Sequence, residues 1–142
     1  MTAPPPVPTE RDDRWILPFR GLAVTRIRVD SAFVLDLAEV AEVRISNVAR
    51  LGWVNVADRP DEVRLDPEHQ DVSAGLVLVG TTVLSAVAFK SGGLRLVFDD
   101  GHLLRVGPHP RRTAWTAIGP DRTLVTSVPS GGLAVQASVS RR

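Results

Sequence analysis

Apolar residues recur at every second position in two separate stretches of this chain, and that period constrains the fold more than any other feature. Side chains at i, i+2 and i+4 of an extended strand share one face, so the alternation describes strands with one face buried. In the first stretch Phe33, Leu35 and Leu37 alternate with Val34 and Asp36, and Val43 and Ile45 flank Arg44. Val24 differs in parity from Ile27 and Val29, so a bulge is needed to keep all three inside. Asp30-Ser31 supplies a turn, because both side chains bond nearby amides. The second stretch runs over residues 80–89, then Leu94, Leu96 and Phe98, then Leu104 and Val106 around Arg105. Gly92-Gly93 and Asp99-Asp100-Gly101 are its turns, Gly101 taking the positive φ that a bulged hairpin requires.

The two stretches match in order. Gly21 aligns with Gly80 and Val24 with Val83; after a two-residue insertion, Leu35 aligns with Leu96, Leu37 with Phe98, Arg44 with Arg105 and Ile45 with Val106. The chain therefore reads as a duplicated three-strand meander, with halves at about 21–46 and 80–107. Between them, residues 47–64 look irregular. Asp66-Pro67-Glu68 then reads as a helix N-cap with a first-turn proline, followed by Val72, Leu76 and Val79 at helical spacing and Gly80 as the stop. Three more strands are expected over 114–118, 123–128 and 133–139, the last with Leu133, Val135, Ala137 and Val139 on a buried face. Residues 1–14, with Pro4, Pro5, Pro6 and Pro8 among small and charged residues, read as a disordered tail outside any sheet. The predicted fold is a mainly β, β-rich α+β domain over 15–142: two tandem meanders forming a sheet or partly open barrel, one short linking helix, and C-terminal antiparallel strands.

At 142 residues one core is expected, and no apolar run approaches the roughly 20 residues that span a bilayer. The N-terminus lacks the basic-then-apolar order of a signal peptide, so a cytoplasmic protein is expected. With no cysteine, disulfides, thiolate zinc sites, iron–sulfur clusters and Cys nucleophiles are all excluded. A net charge of +1 argues against nonspecific binding to nucleic acid over the whole surface. Charge is nonetheless uneven. Asp58, Asp61, Glu62, Asp66, Glu68 and Asp71 oppose only Arg59 and Arg64, whereas six arginines after His102 face only Asp121. The expected molecule is bipolar.

No catalytic, cofactor or metal residue is assigned. His69, His102 and His109 have no ligand spacing, and no GxSxG elbow, GxGxxG loop or Walker lysine is present. Asp99, Asp100, His102 and His109 would serve chemistry only if they met in a cleft. Pro108-His109-Pro110-Arg111-Arg112 is the most conspicuous polar segment, a stiff loop whose guanidinium forks suit carboxylates or phosphates. With Trp115 just beyond it, His109, Arg111 and Arg112 form the candidate interaction site. Trp15, Trp53 and Trp115 are themselves expected in the core.

The runs Trp15-Ile16-Leu17-Pro18 through Gly21, Gly80-Thr81-Thr82-Val83, Leu94-Arg95-Leu96-Val97-Phe98-Asp99-Asp100-Gly101 and Ala114-Trp115 resemble a family of small β-rich proteins from high-GC bacteria, known as a domain of unknown function. The resemblance implies a stand-alone β-rich cytoplasmic protein and brings no catalytic residues. The expectation is thus a non-enzymatic binding or interaction module, of accessory or immunity type, that binds another protein or itself, without cofactor, membrane or nucleic acid. The alternative is a small-molecule binder with a pocket between the two half-sheets.

Overall fold

The computed structural model describes residues 4–55 and 62–137. In chain order its strands are β1 (Thr9–Glu10), β2 (Arg14–Ile16), β3 (Val24–Val29), β4 (Phe33–Leu37), β5 (Ala41–Ile45), β6 (Ala49–Trp53), β7 (Val63–Leu65), β8 (Val83–Phe89), β9 (Leu94–Phe98), β10 (His102–Val106), β11 (Trp115–Ile118), β12 (Leu124–Ser127) and β13 (Leu133–Gln136). They form two antiparallel sheets, neither closed into a barrel. The first is ordered β1-β2-β8-β9-β10-β6-β7 and the second β13-β12-β11-β5-β4-β3.

Both alternating stretches fold as meanders, one in each sheet. Val24 pairs with Leu37 and Val83 with Phe98, and each first strand carries the register shift demanded by its parity, between Val24 and Arg26 and between Val83 and Ser85. The meanders cross where Gly21 N–H donates to Val83 and Gly80 N–H to Val24, while Val24 donates to Thr81 and Val83 to Leu22. Gly21 and Gly80 both have φ of 87°, a conformation that a Cβ would strain. The inward faces of both sheets form one core, with Phe33, Leu35, Val43, Ile45, Leu96, Phe98 and Trp115 fully buried. Each such aliphatic or aromatic side chain contributes roughly 1.5–3 kcal/mol of transfer free energy.

Several sequence expectations change. Thr9 and Glu10 pair with Ile16 and Trp15, and Arg14 pairs with Phe89, so residues 9–14 join the first sheet as an edge hairpin rather than a tail. The segment read as irregular contains β6, whose Ala49 and Leu51 point inward while Arg50 is exposed, and the start of β7. Asp66 caps no helix: it bridges Asp71 across a tight turn, and its carboxylate accepts from His69 Nδ1 at 3.0 Å. The linking helix is a six-residue 3-10 turn, Ser73–Leu78, and its tighter period decides what is buried. Val72, Gly75 and Leu78 point inward at three-residue spacing, leaving Leu76 and Val79 half exposed. Gly75 is required there, because a Cβ would lie 2.5 Å from the Phe33 ring.

β4 is buried on both faces: Val34 is 0% and Asp36 8% exposed on the side expected to meet solvent. β13 is an outermost strand, and Val135 on its expected inner face is 38% exposed; Val139 lies outside the described residues. Nor are acids and arginines held at opposite poles. Glu62 reaches Arg105 at 2.7 Å and Glu68 reaches Arg112 at 3.5 Å, because β7 and the turn after it fold back beside the later strands. Asp58 and Asp61 lie outside the described residues.

Candidate functional site

The loop 107–113 joins the first sheet to the second and is fixed through its backbone. The His109 carbonyl accepts from Ser130 N–H at 2.8 Å, and the Pro110 carbonyl from Ser130 Oγ–H at 2.9 Å. His109 Nδ1 accepts the Arg111 N–H, and Asn47 Nδ2 donates to the Gly107 carbonyl. Arg112 donates to the Ser46 carbonyl at 3.3 Å, while the exposed Arg111 guanidinium has no ion pair or hydrogen bond among the described residues. The structure thus brings His109, Arg111 and Arg112 together. Trp115 is withdrawn from the surface: it is 0% exposed, its ring fills the core, and its Nε1–H donates to the Gly92 carbonyl at 2.9 Å.

A second basic feature has no counterpart in the sequence reading. On the outer face of the first sheet, Arg105 sits directly opposite both Arg95 and Arg50, and Arg50 opposite Arg64. Four arginines on the adjacent strands β9, β10, β6 and β7 therefore stand in one row. At roughly 4.8 Å between strands, the row spans about 14 Å. Two carboxylates answer it, both flanking β7: Glu62 on Arg105 at 2.7 Å and Asp66 near Arg64 at 3.5 Å. Arg50 is exposed without an ion pair or hydrogen bond among the described residues. Arg95 lies over the Phe89 ring, 5.3 Å from its centre, and Arg14 approaches the same ring at 5.0 Å. The Nε of Arg95 is buried without a hydrogen-bond partner. Like charges directly opposite in a sheet are destabilising, so this row is held at a cost. Beside it, two residues along each strand, Val97, Leu103 and Gly52 form a second row in register.

The sequence reading missed the row because Arg50 lay in the stretch taken as irregular. The available signal was Ala49, Leu51 and Trp53 alternating with Arg50 and Gly52. Even with β6 assigned, its non-local pairing with β10 is a tertiary fact.

The outer face of the second sheet also carries arginines, but they are compensated. Asp36 accepts from Arg26 Nε at 2.7 Å and from Arg28 Nε and NH2 at 3.1 and 3.0 Å. Arg28 also pairs with Glu42, and Arg44 with Asp30. The hydrogen bonds from Arg28 hold the Asp36 carboxyl below the ordinary carboxylate value, outweighing its burial, with Arg26 adding to the effect. A groove of about 750 Å³ lies over this face, lined by Thr25, Glu39, Thr116, Ile118, Arg122 and Leu124 among others. Glu39 and Arg122 on it are both left-handed, with φ of 61° and 69°. The space between the sheets, where a ligand pocket was the alternative expectation, is occupied by the core.

Asp100 and His102 do meet, Oδ2 to Nδ1 at 2.6 Å, and Asp100 Oδ1 accepts the His102 N–H as well. His102 is 7% exposed, and its imidazole stacks on Trp53 at 3.8 Å. Asp99 instead accepts from the Thr82 N–H, and His109 lies beyond the opposite end of β10. Among the described residues no three His, Asp or Glu side chains converge as metal ligands, and no helix is long and apolar enough to cross a membrane.

No curated protein and no solved structure matches the chain. A family of unknown function, DUF6188, matches residues 15–137, from the first ordered tryptophan through β13. With most of its length covered, the chain belongs to that family.

Proposed function

We propose that this chain is a non-enzymatic binding module that docks an acidic partner protein on the outer face of its first sheet. The observation that carries the reading is the row Arg95, Arg105, Arg50 and Arg64, with two carboxylates for four guanidiniums. A partner's carboxylates supply the missing charge, and guanidinium forks bind carboxylates in pairs. The matched registers of the meanders support reading the halves as an internal duplication, with binding specialised on one copy.

The test is affinity capture with tagged native protein beside an Arg50→Glu, Arg105→Glu variant. A stoichiometric acidic partner held by the native chain, released by salt and lost by the variant is expected. Undiminished capture by the variant overturns the reading. A second reading is favoured by the groove over the second sheet, whose volume suits a small polar ligand. A ligand that raises the melting temperature of the native chain, but not of Arg122→Ala, would establish it.

A further inference from the structure

Resting on the docking face above, we propose that the part of the partner it holds is an acidic amphipathic helix laid across β9, β10, β6 and β7. Spacing separates the occupants. Successive arginines in the row stand one strand apart, roughly 4.8 Å. Carboxylates on one stripe of a helix, at i, i+3, i+7 and i+10, advance about 4.5–6 Å per step along the axis and about 15 Å in all. On one face of an extended segment the step is about 6.7 Å, so an extended chain loses register before the fourth arginine. About 10 helical residues cover the 14 Å row.

The second row fixes the helix's other stripe. Val97, Leu103 and Gly52 lie in register beside the arginines, two residues away along each strand. That offset is about 6.8 Å, within the roughly 10 Å width of one helix. A helix with a carboxylate stripe next to an apolar stripe therefore meets both rows at once, its apolar stripe on Val97 and Leu103, since Glu62 packs over Gly52. A single nucleic-acid strand is disfavoured because Phe89, the aromatic ring of this face, is already flanked by Arg14 and Arg95 and offers no stacking surface. Glu62 holds Arg105 in the free chain and is the residue a ligand carboxylate displaces.

The probes are synthetic peptides of about 14 residues titrated against the full chain by fluorescence anisotropy. One is helical, with glutamates at i, i+4, i+7 and i+11 beside a leucine stripe. A second has the same composition scrambled, a third alternates glutamate and valine as a strand, and an oligothymidylate is the fourth. The helical peptide is expected to bind at least about tenfold tighter than the others, with affinity falling as salt rises. Glu62→Gln is expected to tighten it about two- to fivefold. Equal binding of helical and scrambled peptides, both weakened by Arg50→Glu, overturns the helix and leaves the docking face standing. Tighter binding of the oligothymidylate replaces the helix with a polyphosphate strand. If Arg50→Glu, checked as folded by circular dichroism, and the milder Arg50→Gln bind every probe as the native chain does, helix and docking face both fall.

Discussion

Arg44 of β5 and Arg105 of β10 hold the same place in their meanders and face outward from their sheets, but their neighbours differ. Arg44 lies between Val34 and Thr116 and reaches Asp30, while the adjacent row sets Arg26, Asp36, Glu42 and Ile118 side by side. Arg105 lies between Arg95 and Arg50. In the second sheet the strand added next to the meander is β11, which supplies a threonine; in the first it is β6, which supplies another arginine. One cross-strand neighbour thus separates an arginine set beside a threonine from an arginine set between two others. Over the second sheet Arg26 and Arg28 share the Asp36 carboxylate and Arg44 pairs with Asp30, so the face is tied by its own ions. The first sheet keeps a row with two carboxylates for four guanidiniums, the imbalance that the proposed partner would fill.

The largest way to break this contrast is to strip the second face of its central acid. Asp36→Ala leaves Arg26 and Arg28 without their shared carboxylate and is expected to lower stability by about 2 kcal/mol in urea unfolding. A loss within about 0.5 kcal/mol would show that this network is as dispensable as an ordinary surface pair. Acid reaches the same group. Because the folded Asp36 carboxyl lies below its ordinary value of 3.8, its contribution is present above that pH and disappears as pH falls through the lower, folded value. Melting temperature should therefore drop more steeply on acidification in the native chain than in Asp36→Asn, and parallel curves would remove Asp36 as the cause.

On the first face the sign reverses. Arg50→Glu places an acid between Arg105 and Arg64 and should raise stability by about 0.5–1 kcal/mol while abolishing docking. Destabilisation would mean that the row repels itself less than its register implies. Smallest is the effect of salt: screening the row should stabilise the native chain by a few tenths of a kcal/mol and leave Arg50→Glu unaffected or slightly weakened, as read by denaturation at low and high sodium chloride.

The meanders were legible because their cause is local. Period-two apolar residues and turn formers such as Gly92-Gly93 and Asp99-Asp100-Gly101 act within a few positions, and the parity clash of Val24 with Ile27 announced the bulge. The family resemblance also held, over residues 15–137. What misled was local evidence about segments whose fate is not local. The prolines at 4–8 obscured an edge hairpin formed just after them by pairing with β8. Helical spacing at Val72, Leu76 and Val79 yielded to a 3-10 turn that fits Gly75 under Phe33. Of the candidate site, the loop carrying His109, Arg111 and Arg112 was visible as proline and arginine in a row. Trp115, beside it in sequence, turned inward with the strand parity of β11.

By itself the sequence determined that this chain makes strands, where most of them turn, and which residues share a face of each strand, since those follow from short-range sterics and a period of two. Only the tertiary structure decided which strands lie next to one another. Placing β6 between β10 and β7 joins residues far apart in the chain, and their order is set by how the inward faces fill one core. The outward residues follow passively, so Arg95, Arg105, Arg50 and Arg64 become neighbours through packing on the opposite side of the sheet.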